Sequence, residues 1–107
     1  MKVILPLCPT TNHTYRHSGH VVYMTKEAKE WITEALWLLK GQERPLQDPT
    51  ELSITYYLKR DRDVDGSNKI VIDTLAKAGW FTNDSKLQDL HLHKRIDKLS
   101  PRIEIQL

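Results

Sequence analysis

Cysteine is nearly absent from this chain of 107 residues, and the single one, Cys8, excludes a good deal. One thiol permits no intramolecular disulfide framework. It also permits no zinc site of four cysteines, or of two cysteines and two histidines. Long apolar runs are missing too. No stretch approaches the roughly 18 residues that cross a bilayer, so no membrane partner is expected. The opening M-K-V-I-L-P-L-C-P places a lysine before an apolar run of about six residues, too short for a signal peptide and suited to a first strand. The chain therefore reads as cytoplasmic. Charge of one sign is also lacking: the formal net charge is +2, so bulk charge alone does not announce nucleic acid. No repeat, low-complexity tract or linker interrupts the chain, which reads as one domain over 1–107.

What is present is ordinary for a globular protein, with 39% apolar and 28% charged residues and enough length for a small core. The distribution of charge is more telling. Acidic residues are scattered, whereas Lys59, Arg60 and Arg62, and again Lys94 and Arg95, form local basic knots.

Val3 to Leu7 reads as a strand closed by Pro6 and Pro9. Tyr15–His17 and His20–Tyr23 flank Ser18-Gly19 as a small hairpin. Thr25 is placed to cap a helix running to about Lys40, with Ala28, Trp31, Ile32, Ala35, Leu36 and Leu39 at helical spacing and Gly41 as its stop. Leu52, Ile54, Tyr56 and Leu58 alternate with polar neighbours, which predicts a strand with one buried face. A second helix fits 67–78, facing inward through Ile70, Val71, Thr74, Leu75 and Ala78 and ended by Gly79. Leu87–Lys94 and Arg102–Gln106 read as a final antiparallel pair joined across Ser100-Pro101. The expectation is an α+β fold: a small mixed or antiparallel sheet with two helices, in the order β, hairpin, α, β, α, β, β.

Between the middle strand and the second helix lies K-R-D-R-D-V-D-G-S-N-K. Asp63 and Asp65 are two residues apart at the end of a strand-like run, so both side chains can point to one face. Close carboxylates repel unless a cation or proton lies between them. Hard oxygen ligands beside the basic strip of Lys59, Arg60 and Arg62 point to Mg²⁺-dependent phosphodiester chemistry. Two other accounts compete. D-R-D-V-D-G resembles the start of a calcium-binding EF-hand loop, but the twelfth position is Ile72 instead of Glu, and a strand precedes it instead of a helix. Alternatively, the aspartates solubilise the turn while Asp65 or Ser67 caps the helix. Against that stand Asp84, just beyond the second helix where the chain can double back, and Lys69, a cation in that helix's first turn.

This pattern resembles the RusA family of Holliday junction resolvases, metal-dependent nucleases of bacteria and their phages. The family signature is D-x-D, a lysine four residues on, a further carboxylate, K-A-G and a closing aspartate. This chain supplies Asp63-Val64-Asp65, Lys69, Asp73, Lys77-Ala78-Gly79 and Asp84 without a gap. P-T-T-N-H-T-Y-R matches the family's proline-then-asparagine opening through Pro9, Asn12, Tyr15 and Arg16. Lys94 falls where the family often carries a basic residue.

The resemblance implies that Asp63, Asp65 and Asp84 are metal-binding carboxylates and Lys69 the catalytic lysine. Asp73 is then a supporting residue or half of a helix-surface ion pair. Asn12, Tyr15, Arg16 and Lys94 join Lys59, Arg60 and Arg62 as DNA-binding residues. Asp61 departs from the pattern, where a basic residue is more usual, and stays outside the metal site. The expected cofactor is Mg²⁺, with Mn²⁺ able to substitute. The expected substrate is a four-way or branched DNA junction, nicked in pairs during recombination and repair by a homodimer. A general nuclease of branched or single-stranded DNA and a noncatalytic junction-binding protein are the alternatives.

Other residues carry less. His91 and His93 share a strand face, read as a solvated or DNA-facing strip before a metal site. His13, His17 and His20 read as surface histidines able to touch phosphate when protonated. Trp80 and Phe81 either fill the core or stack on an unpaired base, with the core preferred. For the dimer, the exposed apolar candidates are the first-helix face around Trp31 and Leu38, and Val21, Val22 and Tyr23 of the hairpin.

Overall fold

The computed structural model describes residues 2–10, 15–19, 21–81 and 87–107. The alternating apolar residues of the strands and the helical stripes of the two helices meet as two layers. Four strands, β1 (Lys2–Leu5), β4 (Glu51–Leu58), β5 (Asp89–Ile96) and β6 (Arg102–Gln106), form one sheet in the order β1-β6-β4-β5. A separate hairpin pairs β2 (Tyr15–Ser18) with β3 (Val21–Met24), turning at Gly19 with φ +60°. Helices α1 (Lys26–Lys40) and α2 (Asn68–Lys77) complete the mixed α+β fold. Among the described residues no helix is long and apolar enough to cross a membrane.

The core lies between the helices and one face of the sheet. Leu52, Ile54, Tyr56 and Leu58 of β4 meet Ile103 and Ile105 of β6, all of them fully buried. Helix α1 contributes Ala28, Trp31, Ala35 and Leu39. Each such large side chain contributes roughly 1.5–3 kcal/mol through burial. Thr25 caps α1 as its sequence predicts, its Oγ1 accepting from the Ala28 amide at 3.2 Å. Trp31 is core, with its indole donating to the Pro6 carbonyl at 2.9 Å, and so is removed from any exposed dimer face. Trp80 and Phe81 are buried as well, which rules out their stacking on a base in this conformation.

Helix α2 ends in a Schellman motif. The Trp80 amide donates to the Leu75 carbonyl at 3.0 Å and the Gly79 amide to Ala76 at 2.9 Å, with Gly79 at φ +82°. The Lys77-Ala78-Gly79 triplet is thus a helix stop, and a Cβ on Gly79 would also come within 2.9 Å of the Arg44 guanidinium. The buried Trp80 then turns the chain back into the core.

One expected pairing is corrected. Strands β5 and β6 form no antiparallel pair. Strand β4 lies between them, pairing parallel with β5 and antiparallel with β6. The reason is burial: Ile103 and Ile105 make β6 an interior strand, whereas β5 carries charge on both faces and suits a sheet edge. Parallel neighbours need a crossover, and α2 provides it.

Candidate active site

The crossover places the acidic turn at the carboxyl end of β4, where open sheets with parallel strands commonly bind ligands. Residues 59–64 leave β4, Asp65–Ser67 make one 3₁₀ turn, and α2 begins at Asn68. Three contacts fix this turn from behind. Arg62 donates from Nη2 to the Cys8 carbonyl at 2.7 Å, tying the turn to the segment after β1. The Tyr56 hydroxyl donates to Asn68 Oδ1 at 3.3 Å, joining β4 to the first residue of α2. The Ser67 amide donates to the Val64 carbonyl at 3.0 Å and closes the 3₁₀ turn.

Behind these contacts the environment is apolar. Burial pushes the Cys8 thiol and the Tyr56 phenol above their ordinary pKa values, so both remain protonated, neutral supports. Ser67 occupies the N-cap position of α2, yet its hydroxyl makes no capping bond and is buried beside the Cys8 thiol. Helix capping therefore does not account for Ser67 in this turn.

In front of the supports, Asp63 is exposed, and Lys69 is exposed one helical turn into the 3₁₀–α2 segment. Asp65 begins the 3₁₀ turn. Asp73 is exposed one turn beyond Lys69 and borders a small hollow with Met24, Ile32, Ile70, Thr74 and Lys77. Lys59 and Arg60 are exposed and border a hollow of about 390 Å³ with Leu7, Leu58, Asp61 and Arg62. Arg62 differs from them: its guanidinium is committed inward, so it is a strut of the turn more than an open phosphate contact. Asp84 and Asn12 lie outside the described residues, as do His13 and His20, while Tyr15, Arg16 and His17 fall on β2.

Parallel pairing also brings β5 to this end of the sheet. Lys94 lies in register with Tyr56, on the helix-facing side of an edge strand. Its Nζ meets Asp61 Oδ1 at 2.7 Å. Each raises the cost of neutralising the other, so the Asp61 carboxyl is held below, and the Lys94 ammonium above, its usual range. The negative charge of Asp63 adds to the upward shift of Lys94, which places that lysine within the field of the acidic turn. No motif connects Asp61 with Lys94. The available signal was the charge on both faces of β5, which marks an edge strand. His91 on the opposite face meets Glu51 at 3.1 Å, and His93 is exposed beside it.

Hard carboxylate oxygens at an exposed, rigidly backed turn are the donor type that Mg²⁺ or Mn²⁺ takes. Asp63 meets that requirement in exposure and backing. Its neighbourhood of Lys59, Arg60, Lys69 and Lys94 suits a ligand rich in phosphate.

The sequence pattern of the family described as Endodeoxyribonuclease RusA matches residues 5–107. Crossover junction endodeoxyribonuclease RusA of Aquifex aeolicus (strain VF5) is 30% identical over 94 residues, covering 84% of this chain and 75% of that protein. Crossover junction endodeoxyribonuclease rusA of Enterobacteria phage 82 is 26% identical over 109 aligned residues, covering 98% of this chain and 91% of that protein. The Escherichia coli (strain K12) protein of the same name is 25% identical with the same coverage. With the match running from the end of β1 through β6 and across the whole acidic turn, this chain belongs to the RusA endodeoxyribonuclease family.

Proposed function

We propose that this chain is an Mg²⁺-dependent endodeoxyribonuclease that resolves four-way DNA junctions by paired symmetric nicks, in DNA recombination and repair. The observation that carries the reading is the D-x-D turn at the carboxyl end of β4. It presents Asp63 and Lys69 to solvent beside Lys59 and Arg60, while Arg62 and Tyr56 brace it from behind. Its relatives bear the name crossover junction endodeoxyribonuclease, and that is the source of the substrate assignment.

Asp63, Asp65 and Asp84 would hold the Mg²⁺. Once bound, the ion supplies Lewis-acid stabilisation of phosphate charge and activation of water. The chain's own residues do the rest. Lys59 and Arg60 draw the DNA backbone to the turn by charge. Lys69 would offset the negative charge that grows on the phosphate during cleavage. Asp73, one turn on, supports Lys69. Asn12, Tyr15 and Arg16 extend the DNA contact from the segment between β1 and β3.

Two matched nicks need two active sites, and a two-fold homodimer provides them. The exposed apolar residues available for that contact are Trp37 and Leu38 of α1 and Val22 and Tyr23 of β3. Light scattering should report about twice the 12.5 kDa chain mass.

The test is to offer end-labelled four-way junction, fork, duplex and single strand in Mg²⁺ and in EDTA. Symmetric nicks in the junction alone, lost in EDTA, support the reading. Cutting of fork or single strand at a similar rate would make the chain a general branched-DNA nuclease. Junction binding without cutting in Mg²⁺ or Mn²⁺ would make it a noncatalytic binder.

A further inference from the structure

We propose that Asp61 holds the place of a DNA phosphate on Lys94, so that this carboxylate sets how tightly and how salt-dependently the chain grips its substrate. The inference rests on the DNA reading above and adds an internal competitor to it.

The geometry supplies the argument. Lys94 Nζ and Asp61 Oδ1 are 2.7 Å apart, the spacing of a charge-assisted bond to any oxyanion. The pair is open to water, with the Lys94 side chain 40% and the Asp61 side chain 76% exposed. Exposed pairs of this kind add little to folding stability, so holding the sheet together is a weak reason for the contact. Nothing buries Asp61, and it can swing away without leaving an unsatisfied group behind. Lys94, by contrast, is placed by its strand: β5 is paired along its whole length with β4, and the register sets Lys94 beside Tyr56. One partner has its backbone anchored in the sheet and the other is on a turn.

Position gives the pair its consequence. Asp61 lies two residues before Asp63, and its 2.7 Å bond to Lys94 holds the Lys94 ammonium against the acidic turn. A phosphate brought to the acidic turn therefore comes within reach of Lys94 and must compete with Asp61 for it. When the phosphate wins, Lys94 exchanges one oxyanion for another, while Asp61 is released as an unpaired negative charge next to the backbone. Net gain from the Lys94 contact is thereby reduced. A backbone that merely drifts past is held weakly, and contacts elsewhere must help to open the pair.

The experiment measures binding of a fluorescent four-way junction in EDTA, where no cleavage intervenes, over a series of KCl concentrations. The proteins are wild type, Asp61→Asn, Lys94→Gln and the double variant. Asp61→Asn should tighten binding about fivefold at low salt and steepen the log–log salt slope by up to about 0.9, the contribution of one phosphate contact. Lys94→Gln should weaken binding more in the Asp61→Asn background than in wild type. Unchanged affinity and slope in Asp61→Asn would overturn the proposal. So would equal tightening with and without Lys94, because that would be plain repulsion between Asp61 and DNA. Asp61→Ser, checked with the others for an intact melting transition, replaces Asp61→Asn should the latter fail to fold. A wild type that binds no DNA would overturn both the function and this inference, whereas binding by wild type with an indifferent Asp61→Asn overturns this inference alone.

Discussion

Two cations flank β4 on opposite faces of the sheet, and the structure treats them differently. On the open face, Arg102 of β6 is engaged by two carboxylates, a carbonyl and a ring. Its guanidinium lies 3.9 Å from the Tyr57 ring centre, donates to Asp97 at 2.9 Å and Glu104 at 2.7 Å, and reaches the Ser100 carbonyl at 2.8 Å. On the helix-facing side, Lys94 of β5 has one carboxylate, supplied by an exposed turn. Lys59 and Arg60 have no carboxylate partner among the described residues. The contrast separates two uses of positive charge. Arg102 closes the β5–β6 connection, with its charge matched by Asp97 and Glu104. Exposed and without a carboxylate partner among the described residues, Lys59 and Arg60 suit a surface that meets phosphate.

The strongest way to break this contrast is to remove charge from the proposed metal site. If the proposed metal site is right, Asp65→Asn and Asp84→Asn should each lower junction cleavage on the order of 10³-fold or more, since each would delete a ligand of the ion that stabilises the transition state. Binding should survive or tighten in both, because each removes a negative charge from a protein proposed to meet phosphate. Cleavage assays under single-turnover conditions, run beside binding isotherms, check this; full activity in either variant would remove that residue from the site.

Lys69→Ala comes next. It should reduce saturated turnover about 10²-fold while changing affinity far less, the signature of an interaction made in the transition state. Weaker binding with normal turnover would make Lys69 a docking residue. Smaller again are Lys59→Ala and Arg60→Ala, expected to weaken binding several-fold and to flatten the salt slope by up to about 0.9 each. The smallest effect on DNA belongs to Arg102→Met. It should lower the unfolding midpoint, by loss of its ion pairs and its stacking on Tyr57, yet alter junction affinity by less than about twofold. A steep loss of affinity in Arg102→Met would erase the distinction between the two faces.

Much of this arrangement was legible beforehand, and the parts that were not share a cause. The α1 cap at Thr25, the buried alternation of β4 and the stop at Gly79 are local, set by residues within a turn or strand of one another. The acidic turn was legible for the same reason, since Asp63, Asp65 and Lys69 lie within seven consecutive residues. Strand pairing is not local. Period-two alternation places a strand's faces but does not name its neighbour, so β5 was expected against β6 when it lies parallel to β4. That one exchange hid the Asp61–Lys94 pair, because only the parallel arrangement carries Lys94 to the end of β4. Arg62 was expected among the DNA contacts for its charge, and its inward bond to the Cys8 carbonyl spans 54 residues of sequence that no motif connects. Trp31 was expected both as core and near a dimer face, and burial decides for the core.

If the braced turn after β4 is where DNA is cut, Asp63 is the residue through which to test it. A both-strand-labelled four-way junction, incubated in Mg²⁺ with saturating wild type and with Asp63→Asn, measures it directly when binding is followed in parallel. Paired nicks by wild type, no detectable nicks by Asp63→Asn, and junction affinity in the variant equal to or tighter than wild type are expected. Cleavage by Asp63→Asn at the wild-type rate would contradict that role of the turn.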